Sequence, residues 1–125
     1  MRDLSQLTKA QLIATALYSL VNEGASINKS FNRPTSGYMV GFDKGDVFDN
    51  VSKVDVWKVA AWVQYHIDGG IEDKDFFGVW KDKETGKVHF DLSNQIASKK
   101  LAISIARERG EIAIWDVENN CEIRV

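Results

Sequence analysis

The chain has one cysteine, Cys121, and one proline, Pro34, in 125 residues. A single thiol excludes an internal disulfide and a cysteine metal cluster, and it suits a reducing cytoplasm. Only two histidines are present, His66 and His89, and neither stands in a metal-binding spacing. There is no basic surplus, since the formal net charge is −2. A long nucleic-acid partner is therefore not expected. A small anion remains open, because two or three placed donors suffice to bind one. No apolar run is long enough to span a membrane, and "MRDLSQLTKAQ" lacks the apolar core of a signal peptide. No Walker loop occurs, and "GYMVG" lacks the glycine pattern and following helix of a dinucleotide fingerprint. Carboxylates are plentiful, but their spacing marks no acid/base pair. No catalytic set, metal or cofactor is expected.

What is present suits one α+β domain over residues 1–125. The chain is 44% hydrophobic and 27% charged, and it carries four tryptophans and six phenylalanines. Those rings must enter a core, an interface or a ligand site. Thr8 to Gln11, "TKAQ", fits a capping box, with Leu7 and Leu12 placed as a hydrophobic staple. Leu12, Ile13, Ala16, Leu17, Leu20 and Val21 then recur at helical spacing, and Gly24 is a natural stop. Tyr38 to Phe42 reads as a strand, "DKGD" as a turn, and Val47 and Phe48 as a short second strand.

A second helix is expected from about Lys53 to Ile67, started by Ser52 or Asp55. Val56, Val59, Ala60, Val63 and Ile67 fill one sector, while Trp57, Ala61, Trp62 and Tyr65 lie largely outside it. A helix apolar nearly all round is buried on two sides or meets a partner. Phe76 to Trp80 and Lys87 to Leu92 read as two strands joined through "KDKETG". The first is apolar on both faces, with Phe76 and Trp80 opposite Phe77 and Val79. Ser98 to Arg109 is a third helix stopped by Gly110, and "EIAIWDV" and "CEIRV" form a last hairpin. The expected architecture is an antiparallel sheet built from hairpins, with two or three helices packed on it. The surplus aromatics of the second helix and of the Phe76 and Trp80 face predict a homodimer or larger assembly that buries them.

Few residues suggest ligand chemistry. Around the third helix Leu101, Ala102, Ile105 and Ala106 define the buried side, and Arg109 shares their direction at ~100° per residue. Arg109 is either a structural cation, at the helix end or paired with an aspartate such as Asp116, or a fork kept for a phosphate or carboxylate. "FNRPTSG" offers a ring, a cation and two hydroxyls in Phe31, Arg33, Thr35 and Ser36. That mixture suits a nucleotide, and a plain solvated connector is the competing reading. Asn94 and Gln95 could read a base edge through their amides, or simply serve a turn or helix cap. Phe90 is a core position by alternation, and Arg124 lies on the polar side of the final strand. Cys121 alternates with Ile123 and Val125, which predicts a core thiol. His66 reads as a surface or interface position, and His89, on the polar face of its strand, as a solvated one.

The runs "FFGVWKDKETGKVHFDLS" and "AISIARERGEIAIWDVENNCEIRV", with "PTSGYMV" upstream, resemble small phage and prophage proteins. The shared cadence is a Gly-x-Trp strand, an "ETGKV" turn, an aspartate closing the next strand, an alanine-rich helix and an "AIWD" strand. It covers most of the chain after residue 34. The family resembled is the first-described group of phage anti-Thoeris proteins. The resemblance implies a signal sponge working in the host bacterial cytoplasm. Such proteins bind the cyclised ADP-ribose made by bacterial TIR-domain defence enzymes, hold it uncleaved, and form homo-oligomers. It also implies a second site for cyclic oligonucleotides in some members. Arg109 is the contact the resemblance would carry over first, and Phe31, Arg33, Thr35, Ser36, Phe90, Asn94 and Arg124 complete the candidate ligand set. A phage protein that inhibits a host protein through Trp57, Trp62 and Tyr65 is the alternative.

Overall fold

The structure, a computed structural model, describes residues 8–125. It opens with α1 (Lys9–Ser19), and Thr8 and Gln11 form the reciprocal capping box that their spacing implies. The Thr8 hydroxyl accepts from the Gln11 N–H at 3.1 Å, and the Gln11 side chain accepts from the Thr8 N–H at 2.9 Å. The proposed Leu7 staple lies outside the described residues. After Gly24, with φ of +76°, the chain enters β1 (Ala25–Ile27), a strand the sequence reading lacks.

β2 (Tyr38–Phe48) corrects the first expected hairpin. "DKGD" is not a turn. The strand runs straight through it, carrying one extra residue between Gly41 and Asp43 and a second between Lys44 and Val47 relative to its neighbour. A short 3₁₀ turn, Val51–Lys53, precedes α2 (Val56–Asp68). Asp55 is the cap of α2, accepting from the Trp57 and Lys58 N–H groups. Then follow β3 (Asp75–Lys81), β4 (Val88–Ile96), α3 (Lys99–Glu108), β5 (Ala113–Asp116) and β6 (Cys121–Arg124). The strands form one antiparallel sheet in the order β1-β3-β4-β2-β5-β6. The α+β class with helices on an antiparallel sheet is therefore as the sequence predicts. None of the described helices is long and apolar enough to cross a membrane.

All three helices lie on one side of the curled sheet. Directly opposed residues share a face, so Phe77 with Leu92, Val79 with Phe90, and Val40 with Asn94 all point one way. Phe77, Val79, Val88, Phe90 and Leu92 pack with Ile13 and Leu17 of α1 and Val59 and Val63 of α2. Val40 and Ile114 pack with Ala102 and Ala106 of α3, whose small side chains admit close approach. The stripe of α3 is narrower than expected, for Leu101 is 52% exposed. The other face carries Phe76, Gly78 and Trp80 of β3 and His89, Asp91, Ser93 and Gln95 of β4, and among the described residues no helix covers it. Phe76 is nonetheless buried within the chain, so it cannot form the intersubunit patch expected of it. Cys121 is exposed on the edge strand and not a core thiol.

Candidate functional site

β2 pairs with β5 only at Tyr38 and Met39. Beyond them the β2 edge is open, and Arg109, the residue that caps α3, reaches into the gap. Its Nη1 donates to the Gly41 carbonyl at 3.2 Å and the Val40 carbonyl at 3.5 Å. Its Nη2 donates to Asn94 Oδ1 at 2.7 Å, and Asn94 in turn donates to Asp75 Oδ1 at 2.6 Å. The guanidinium also lies 5.7 Å from the centre of the exposed Phe42 ring. Two of the candidate residues, Arg109 and Asn94, are thus joined.

Arg109 is exposed, which corrects its expected place on the buried side of α3. It does not pair with Asp116, whose carboxylate instead accepts from the Asn119 N–H and side-chain amide. Those bonds hold the Asp116 carboxyl below its ordinary range. Every acceptor of Arg109 is neutral, and no carboxylate lies within ion-pair distance of it among the described residues. Its position is fixed while its charge stays uncompensated.

The start of the "FNRPTSG" loop is held by Asn28. Buried Asn28 accepts from the Ser30 and Asn32 N–H groups and donates to the Asp73 carbonyl. Phe31 is consequently held at φ of +63°, rare for a bulky side chain. Phe31, Arg33, Thr35 and Ser36 are all exposed. At the loop's far end Gln95 donates to the Ser36 carbonyl at 2.8 Å. Phe90 is a core residue, 1% exposed, so its ring does not reach a ligand in this arrangement. Arg124 pairs with Glu122 on the edge strand at 3.1 Å. The candidate set thus falls into the Arg109–Asn94 pair, a loop, a core ring and an edge arginine.

A cleft that the sequence reading missed lies on the helix-free face. It encloses about 390 Å³ and is lined by Lys44, Val47, Trp80, His89, Asp91, Glu111 and their neighbours. Trp80 and His89 are cross-strand partners, and their rings stack at 4.0 Å with only 5° between planes. Burial holds His89 below its ordinary pKa, helped by Lys87 and Lys44 and opposed by Asp82, so the imidazole is neutral at pH 7. Asp91 faces Gly78, where a Cβ would stand 2.5 Å from Asp91 Oδ1. Glu111 follows α3 and rests over Gly41. Burial pushes the Asp91 carboxyl up to about 6, against the hydrogen bond from Trp80, and the nearby Glu111 charge adds to the rise.

His89 was expected to be solvated, but it is half-buried beneath Trp80. The β3–β4 register could have exposed the Trp80–His89 pair in the sequence, because a hairpin counted back from its turn sets them opposite. No local signal announces Glu111. On the helix side His66, read as a surface or interface position, approaches Asp43 Oδ2 at 3.1 Å and packs edge-on to Trp62 and Tyr65. No cluster of three or more His, Cys, Asp or Glu side chains that could hold a metal exists among the described residues. No family model, curated protein or solved structure matches the chain.

Proposed function

We propose that this chain captures a phosphate-bearing cyclic nucleotide of the ADP-ribose type and holds it without cleaving it, as a sponge against bacterial Thoeris signalling. One observation carries the reading: Arg109 is fixed by neutral acceptors, so its charge is left over for an anion. A guanidinium fork matches phosphate oxygens, and prior fixation lowers the entropy lost on binding. Phe42, 38% exposed beside it, offers a ring on which a base can stack, and Asn94 offers an amide. Sequestration requires affinity and stoichiometric protein rather than a reacting group. The sequence cadence after residue 34 supports the same reading. The proposed setting is the host cytoplasm, and the proposed form is a homo-oligomer.

The test is to incubate the protein with the cyclic signal, remove free ligand, denature by heat and analyse the supernatant. Intact release supports the sponge. A cleaved product points to an enzyme, and no retention ends the proposal. A second reading rests on α2, where Trp57 is 57% and Tyr65 74% exposed. Those rings could dock a host protein, and a protein that inhibits Thoeris without retaining the nucleotide would favour that reading.

A further inference from the structure

The cleft over Trp80 has a charge balance opposite to that of the Arg109 gap. Asp91 and Glu111 point into it, and neither has a Lys, Arg or His within ion-pair distance among the described residues. Lys44 stands directly across from Asp91 in the β2–β4 register but does not pair with it. Facing the opening are two carboxylates (Asp91 and Glu111), one ammonium (Lys44) and the neutral His89, while the Asp43 carboxylate lies on the other side of the sheet against His66. Negative charge is thus in excess, and it surrounds a tryptophan that is 44% exposed. A phosphate would be repelled there. A bare divalent metal has too few gathered ligands, and it would leave the aromatic wall unused.

We propose that this cleft is a separate binding site for a compact organic cation, a guanidinium or ammonium on a short carbon chain. Its charged head would meet Asp91 and Glu111 through charge-assisted hydrogen bonds while lying against the Trp80 ring. Its carbon chain would lie along Val47 and Ile112, apolar side chains that are 51% and 69% exposed at the rim. A volume of about 390 Å³ suits a small ligand of this kind. The inference stands on the cleft alone and does not depend on nucleotide capture at Arg109.

The test titrates the whole protein with butylguanidine and with butylurea, which has nearly the same shape without the charge. Binding is followed at the Trp80 indole N–H in proton–nitrogen NMR spectra, with the resonance assigned through Trp80→Phe. Butylguanidine should bind at pH 7.5, at least about tenfold more tightly than butylurea. Glu111→Gln and Asp91→Asn should each weaken it about tenfold or more, and adenosine monophosphate should not displace it. From pH 7.5 to pH 5, protonation of Asp91 should weaken binding by up to about tenfold. Equal binding of butylurea, no shift at millimolar butylguanidine, or full affinity in a folded Glu111→Gln variant would each overturn the proposal.

Discussion

Asp91→Asn should make the protein more stable at neutral pH, an uncommon outcome for a substitution at a half-buried polar position. Burial and the nearby Glu111 place the Asp91 pKa at about 6 in the folded chain, against an ordinary 3.8. At about 1.4 kcal/mol per unit, the difference corresponds to a penalty on the order of 3 kcal/mol when the carboxylate is charged. The sign follows from proton binding. Between pH 4 and 6 the folded chain keeps a proton that the unfolded chain has released, so this group's contribution to stability falls as pH rises through that window. Above the window the full penalty applies. Asparagine carries no charge and retains an acceptor for the Trp80 N–H. The variant should therefore exceed the parent by up to about 3 kcal/mol at pH 7.5, and by about 1.5 kcal/mol at pH 5. Urea unfolding of both proteins at both pH values measures this. The comparison must be a difference between proteins, because His89, with its lowered pKa, contributes a slope of opposite sign below pH 6.5. A variant less stable than the parent at pH 7.5, or a difference that ignores pH, would refute the reasoning.

Arg109→Ala should cost only about 1–2 kcal/mol of stability, because water can replace its donors at the exposed β2 edge. Nucleotide retention should fall at least about tenfold, with Arg109→Lys restoring part of it; loss of several kcal/mol of stability with normal retention would make Arg109 purely structural. Gly45→Ala should destabilise by about 1–3 kcal/mol in thermal melts, because its Cβ would stand 2.7 Å from the Trp62 ring and 2.8 Å from the Phe90 carbonyl. Light scattering at micromolar concentration should show a dimer or larger, and a double Trp57→Ala, Tyr65→Ala variant should shift it toward monomer; a monomeric parent would defeat that expectation.

The parts of the fold that were legible are those whose signals are local. The α1 cap was visible because Thr8 and Gln11 satisfy each other within one turn. The β3–β4 hairpin was visible from its alternation and its turn. "DKGD" misled because Gly45 is there for a different reason. It gives Trp62 and the Phe90 backbone room to approach, a long-range demand that resembles a turn signal. Arg109 was given the wrong surroundings, because a helical wheel cannot show that the β2–β5 pairing ends at Met39 and leaves an open edge. Cys121 alternates like a core residue, yet β6 lies at the end of the sheet and little packs on it. The cleft needed Trp80, Asp91 and Glu111 from separate segments, and only the tertiary fold brings them together.

The two extra residues of β2 act on the chain like a reading frame. Each one turns the following side chains over to the opposite side of the sheet, and two together restore the original side. Phe48 accordingly reaches the helix side, where it meets Phe90 edge-on at 5.9 Å. Loss of a single residue between Phe42 and Asp46 would send Phe48 outward and Val47 inward, whereas loss of two would preserve their sides and merely shorten the strand. Across related chains, length changes in this stretch should therefore come in pairs.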